Sequence, residues 1–293
     1  MRYDVTLRIE YRYDQASDHA RSLLHLTPPT LPGRQEVIAG LLSIEPTPQE
    51  RREGQDFFGN RATLVSFHKP IQELTLTLKA QVSRRMPPEP MDLSQDRAGL
   101  AREIEAHRSV APDAPHHFLG PSPRVSPSTA ITRFGEAQLS PSMSVLQITR
   151  AIGQALHREM SFDAEATDVL TSPGEAFHNR RGVCQDFAHV MIACLRGLGI
   201  PAGYVSGFLR TSPPPGQPRL EGADAMHAWV RAWCGSELGW VEYDPTNDIL
   251  VGDDHIVVAY GRDYADVSPI KGTLRSAGGH DSTHSVDVVP VDA

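Results

Sequence analysis

Residues 2–13 alternate strictly between two characters. Tyr3, Val5, Leu7, Ile9, Tyr11 and Tyr13 are apolar or aromatic, and Arg2, Asp4, Thr6, Arg8, Glu10 and Arg12 between them are polar. A period of two over that length predicts a strand with one buried and one wet face. The pattern returns at Leu74, Leu76, Leu78, Ala80 and Val82, with shorter strand candidates at Arg21–Leu26 and Val37–Ile44. Phe57-Phe58-Gly59-Asn60 followed by Ala62–Phe67 reads as a hairpin turning at Gly-Asn. Residues 1–84 are therefore expected to form an antiparallel β unit with no helical pattern.

Met86-Pro87-Pro88-Glu89-Pro90 breaks that unit. A short helix is predicted from Ser94 to His107, followed by irregular chain at Pro112, Pro115, Pro121, Pro123 and Pro127. Residues 85–140 thus read as a Pro-rich connection with short helices, or equally as an ordered loop pressed on the core. From Pro141 the period becomes helical. Val145, Ile148, Ile152, Ala155 and Leu156 make one apolar stripe, with Ser142 or Ser144 as its cap. Residues 141–293 form the second expected unit, in which Thr283–Val291 alternates and adds a strand. The fold class is α+β.

The chemistry gathers in this second unit. After Arg180-Arg181-Gly182-Val183, the stretch from Cys184 to Leu198 is apolar on nearly every face, and Gly199 and Pro201 end it. That describes a buried central helix with Cys184 in its first turn. Unpaired N–H groups and the helix dipole there stabilise a thiolate, and the same N–H groups can serve an oxyanion. Cys194, mid-helix in the apolar run, belongs to the core.

A nucleophilic cysteine needs a base and a group to orient that base. His227, Trp229, Arg231 and Trp233 alternate along one predicted strand, and Trp240, Glu242 and Asp244 along the next. Pairing Trp233 with Leu238 puts His227 directly opposite Asp244, whereas pairing Trp233 with Trp240 makes them diagonal neighbours. Either register leaves both on one face, within roughly 5–8 Å between Cβ atoms. A carboxylate so placed can fix an imidazole tautomer. Cys234 falls in the turn between the strands, where exposure alone could make it react. Asp186 is explained by the helix dipole, His189 as a packed core histidine, and Arg180-Arg181 as a solvated pair or a clamp for a substrate carboxylate. The stiff run Thr211–Pro218 reads as a rim of the cleft or as a plain surface loop.

Composition narrows the partners. The formal net charge is −8, which argues against general affinity for nucleic acid or anionic membrane. Three cysteines cannot all pair, so reduced thiols and a cytoplasmic location are expected. No apolar run is long enough to span a bilayer, and no signal-peptide core follows Met1. His116, His117, His178 and His189 offer metal ligands, yet no Cys-x-x-Cys or His-Glu-x-x-His spacing exists, so neither metal nor cofactor is expected.

Three segments resemble the bacterial transglutaminase-like proteins of the papain-like superfamily. They are Gly182-Val183-Cys184-Gln185-Asp186-Phe187-Ala188-His189, Asp224-Ala225-Met226-His227-Ala228-Trp229 and Asp244-Pro245-Thr246-Asn247. Leu198–Gly207 also resembles the stretch after the nucleophile helix, and residues 1–84 are similar to the β accessory domain of one bacterial subgroup. Met226 departs from the small residue expected there. The resemblance implies Cys184 as nucleophile, His227 as base and Asp244 as orienting group. Gln185, Asp186, Met226 and Trp229 adjoin these as candidate substrate contacts. The implied reaction is acyl transfer on a peptide, protein or small amide, with hydrolysis preferred over amine transfer. A non-catalytic peptide-binding module of the same fold is the alternative.

Overall fold

The computed structural model describes residues 1–17, 19–86, 91–211, 224–275 and 278–291. Six strands come first: β1 (Arg2–Ser17), β2 (His19–Leu24), β3 (Gln35–Glu45), β4 (Glu50–Gln55), β5 (Arg61–Phe67) and β6 (Ile71–Arg84). The alternation in β1 is realised: Tyr3, Val5, Leu7, Ile9 and Tyr13 are buried while their neighbours face outward. Burying each such side chain stabilises the fold by about 1.5–3 kcal/mol before entropy is counted. The β4–β5 hairpin turns through Gly59, whose φ of 81° suits glycine. Asn60 in that turn is buried and spans 200 residues of sequence, donating from Nδ2 to the Tyr260 carbonyl and accepting from the Tyr260 N–H.

The middle of the chain is helical. It runs α1 (Arg97–Ala106), α2 (Thr129–Glu136), α3 (Val145–Glu159), a two-residue β7 (Ser161–Phe162), α4 (Pro173–Asn179), β8 (Arg181–Gly182) and α5 (Cys184–Gly197). Of the two serine caps expected for α3, Ser144 does the work. Its side chain accepts from the Gln147 N–H while the Gln147 side chain reaches back to the Ser144 N–H. The rest of the chain is β9 (Ala202–Leu209), β10 (Ala225–Trp233), β11 (Trp240–Asp244), β12 (Ile249–Leu250), β13 (His255–Gly261), a one-turn α6 (Tyr264–Val267), β14 (Ile270–Arg275) and β15 (His280–Val291).

Three larger sheets organise these strands. The core sheet has the order β12-β11-β10-β9-β13, and α5 lies against it. The other two are β15-β1-β6-β3 and β14-β2-β5-β4. The C-terminal strand thus forms as expected, but it pairs with β1 rather than with the core sheet, from Arg2↔Val291 to Tyr13↔His280. Taking 141–293 as one contiguous unit therefore needs correction: β14 and β15 complete the sheets begun by residues 1–84. The reason is physical, since Val286 and Val288 bury fully on the face that carries Tyr3, Val5 and Leu7. Among the described residues no helix is long and apolar enough to cross a membrane.

Candidate active site

Helix α5 begins abruptly at Cys184. Its capping residue, Val183, has no side-chain acceptor to offer. Asp186 instead turns back, and its Oδ2 accepts from the Val183 N–H at 2.8 Å and from Thr167 Oγ1 at 2.6 Å. Gly182 leaves room for this, because a Cβ there would stand 2.5 Å from Asp186 Oδ2. Asp186 is almost fully buried, and burial pushes its carboxyl above the usual range despite those hydrogen bonds. It therefore shapes the start of the helix. That corrects its expected place among the substrate contacts. Cys184 itself is half-buried, and as the first helical residue its N–H has no partner within the helix.

The strand register resolves the two sequence alternatives. Trp233 pairs with Trp240 and Val230 with Tyr243, so His227 and Asp244 are diagonal neighbours on one face. His227 Nε2 and Asp244 Oδ2 lie 2.7 Å apart, with both side chains buried. Cys184 is the other side chain that acts on the ring, favouring its charged form. A carboxylate can only accept, so Nε2 carries a proton and Nδ1 is left as the nitrogen able to take one from a thiol. Burial alone would lower the basicity of His227. Its hydrogen bonds to Asp244 and Cys184 outweigh that and raise its pKa to about 10.

Asp244 is held from five directions. Oδ2 accepts from His227, from His255 Nε2 at 3.1 Å and from Asn247 Nδ2 at 2.7 Å. Oδ1 accepts from the N–H groups of Thr246 and Asn247 at 2.9 and 3.2 Å. Burial raises a carboxyl pKa, but the bonds to His227 and His255 reverse it and keep Asp244 ionised far below the usual range. His255 is the residue that sequence reasoning missed. It opens β13 as a buried histidine ahead of the apolar run Ile256–Ala259, and that placement was the only local signal. Its Nδ1 is buried without a hydrogen-bond partner.

Trp229 is fully buried, so its expected role as a substrate contact is also corrected. Its ring packs beside both His227 and His255, at centroid distances of 6.1 and 5.1 Å, and its indole N–H donates to Glu242 Oε2 at 2.8 Å. Gly207 on β9 admits that ring, since a Cβ there would meet it at 2.3 Å. Gln185 is mostly buried and Met226 half-buried; they neighbour Cys184 and His227 in sequence. Arg180 is not a free clamp, because its guanidinium covers the Phe177 ring at 4.0 Å and pairs with Glu159. Cys194 is in the core, as expected. Cys234, expected to be accessible, is equally buried, and burial pushes both thiols up to about 12. His189 is a core histidine whose Nε2 accepts from the Tyr264 N–H at 3.2 Å. Residues 212–218 of the expected rim lie outside the described residues.

His227, Asp244 and His255 are also a group that could hold a metal ion, their ligand atoms lying within 4.8 Å of one another. Zinc ligands at about 2.0–2.2 Å from a tetrahedral centre stand roughly 3.3 Å or more apart. The 2.7 Å between His227 and Asp244 is instead the distance of a shared proton.

This fold and this constellation define a transglutaminase-like protein. Residues 133–245 match the transglutaminase-like superfamily, and residues 3–83 match the bacterial transglutaminase-like N-terminal region. An uncharacterised protein of Mycobacterium tuberculosis is 33% identical over 305 residues, spanning 99% of this chain and 93% of that protein. A structure from Cytophaga hutchinsonii, provisionally described as a cysteine protease, superposes with a TM-score of 0.73 over 100% of this chain and 91% of its own, at 20% identity. A protein-glutamine gamma-glutamyltransferase of Pseudomonas aeruginosa is 38% identical over 74 residues, 25% of this chain and 11% of that enzyme. The chain belongs to the transglutaminase-like superfamily and carries its bacterial N-terminal region.

Proposed function

We propose that the chain is a cysteine-nucleophile enzyme that cleaves amide bonds, with Cys184, His227 and Asp244 as its triad. The observation that carries this reading is the 2.7 Å contact of His227 Nε2 with buried Asp244, on a ring whose basicity Cys184 also raises. The Cys184 thiolate attacks the carbonyl carbon, forming an S–C bond and placing the negative charge on oxygen, where N–H groups at the start of α5 can stabilise it. As the C–N bond breaks, His227 gives its Nδ1 proton to the leaving amine. A water molecule then attacks the thioester and passes a proton back to His227, and the carboxylic acid leaves with the Cys184 thiolate restored. Asp244 holds the ring and its charge throughout.

Water is the preferred acceptor, in line with the protease description of the Cytophaga neighbour. Amine transfer is the second reading, favoured by the short match to a protein-glutamine gamma-glutamyltransferase. A peptide library incubated with and without a primary amine and read by mass spectrometry separates them. Hydrolysed products in both arms support the first reading, and amine-bearing products in the second arm support the other. A thiol-directed electrophile near pH 6.5 should label Cys184 ahead of the buried Cys194 and Cys234. Equal labelling of all three in the folded protein, or no turnover of any amide, would leave a binding module as the better description.

A further inference from the structure

The sheet face that carries the triad continues away from it into the seam between the β unit and the core. Beyond Trp229 and Glu242 it reaches Arg231, in a cavity of about 400 Å³ lined by Arg34, Phe58, Trp240 and Tyr260 among others. Arg231 is 6% exposed. The rings of Phe118, Trp240 and Tyr260 each stand 4.5 Å from its guanidinium carbon. Aromatic faces can cover the flat sides of a guanidinium, but its N–H donors point outward in the plane, where such rings do not satisfy them. Its Nε is shut off from solvent with no hydrogen-bond partner.

Glu242 is the obvious counter-ion, directly opposite Arg231 on β11. It turns elsewhere: Oε2 accepts from Trp229, and Oε1 from the Tyr260 hydroxyl at 3.0 Å and from Arg34 at 3.4 Å. A third cation, Arg84, is fully buried nearby and feels Glu242, Tyr260 and Arg34, with all three of its guanidinium nitrogens unpartnered. Three guanidinium groups thus gather around one buried carboxylate whose oxygens are already engaged. Buried charges are ordinarily paired, because an unpaired one is costly. Burial lowers the pKa of Arg231 to about 10 and that of Arg84 from its usual value, against the opposing pull of Glu242 and Tyr260.

The geometry points to a binding site for a monocarboxylate, with Arg231 as its anchor and Arg34 at its mouth. The planar fork of an arginine matches a carboxylate with two parallel N–H···O bonds. The ring-lined walls suit an apolar or aromatic substituent on the acid. Glu242 and the rim residue Asp113 also line the cavity, and they disfavour a multiply charged anion such as phosphate. The site contains none of the triad residues and does not rest on the proposed catalysis.

The test uses the full chain at constant ionic strength. Calorimetry compares 3-phenylpropionate with its uncharged amide, while the indole signal of Trp240 reports occupancy in the cavity. The acid should bind saturably and shift Trp240, and the amide should do neither. Arg231→Met, which keeps an unbranched apolar stem among the rings, should weaken the acid about tenfold or more. Arg34→Met, at the exposed edge, should weaken it less and keeps the test alive if Arg231→Met is unstable. N-acetyl-Ala-Phe and its C-terminal amide distinguish sources: tighter binding of the peptide acid than of phenylpropionate identifies a peptide terminus, and the reverse a small acid. Equal binding of acid and amide, unchanged affinity in Arg231→Met, or tighter binding of inorganic phosphate would overturn the assignment.

Discussion

Two buried charges lie on one sheet face and are treated in opposite ways. Asp244 takes five hydrogen bonds, three of them on one oxygen. Arg231, diagonal to it on the neighbouring strand, is nearly as buried, yet Glu242, the acid facing it, is bonded elsewhere. Burying a charge without partners costs several kcal/mol, so neither arrangement follows from packing alone. The satisfied carboxylate belongs to machinery whose parts are all in the chain. The unsatisfied cation belongs to machinery that lacks one. Trp229 joins the two regions, its ring against His227 and His255 and its indole N–H on Glu242.

The comparison breaks most sharply at the Asp244 end if the residues there do not act together. Cys184→Ala and His227→Ala should each abolish turnover of any amide the wild type cleaves, and the double variant should be no slower than either. Thermal unfolding should change little for Cys184→Ala, whose side chain is half-buried. Steady-state kinetics on the best substrate from the library decides it, and full activity in Cys184→Ala would remove the nucleophile from the site.

Asp244→Asn is the next largest effect. It keeps the shape while removing the charge. An aspartate-to-asparagine change costs about 10⁴ in serine triads, and a loss on the order of 10–10³ is expected here because a thiolate is the more intrinsic nucleophile. The partner that raises the pKa of His227 is gone, so the basic limb of the activity profile should move to lower pH. Asp248→Asn is the control. Asp248 accepts from the Tyr243 hydroxyl, a bond an asparagine oxygen can still accept, so rate and pH profile should both stay close to wild type. Damage from Asp248→Asn with none from Asp244→Asn would contradict the register.

His255→Phe tests whether the surplus of donors on Asp244 matters. It keeps a ring beside Trp229 and removes the bond to Oδ2. Loss of one hydrogen bond to a charged group corresponds to about 1.5–3 kcal/mol, or roughly 10–100-fold in kcat/KM if it is felt fully in the transition state. The remaining four donors should hold the loss to the lower end. The hydrogen bond from His255 lowers the pKa of Asp244, so the variant should lose activity at a higher pH on acidification than wild type does. His255→Gln, which can donate again, should recover part of both. A variant that loses stability while its pH profile stays fixed would mark His255 as packing alone.

Much of the site was legible in the sequence because its signals are local. Cys184 stands at the start of an apolar helix, and His227 and Asp244 keep the two-residue period of adjoining strands. What was hidden depends on distant pairing. His255 reaches Asp244 only because β13 pairs with β9, which pairs with β10. Arg231 reads as one more position in an aromatic-rich strand until Phe118 and Tyr260 close over it. In the β unit, β1 announced itself through Tyr3–Tyr13, whereas all six residues of β4 are exposed and show no alternation. The pairing of β15 with β1 joins the two ends of the chain, and no local pattern encodes such a contact.

The smallest effect concerns a buried base that stays uncharged with Nε2 engaged and Nδ1 unpartnered, midway in character between Asp244 and Arg231. His189 accepts from the Tyr264 N–H through Nε2. Burial lowers its pKa to about 4, against the pull of Asp263 and with the help of Arg124 and Arg196. Protonating Nε2 would turn a donor toward a donor. Its folded pKa lies below the ordinary value of about 6.5, so the unfolded chain binds more protons between those limits. The stability that His189 contributes is therefore fully present above pH 6.5 and is lost as pH falls towards 4. His189→Gln supplies an acceptor that does not titrate there. Its Tm at pH 7.5 should lie near or slightly below that of wild type, and its fall between pH 6.5 and 4 should be shallower. Parallel Tm curves for the two proteins across that window would assign the acid sensitivity to another group.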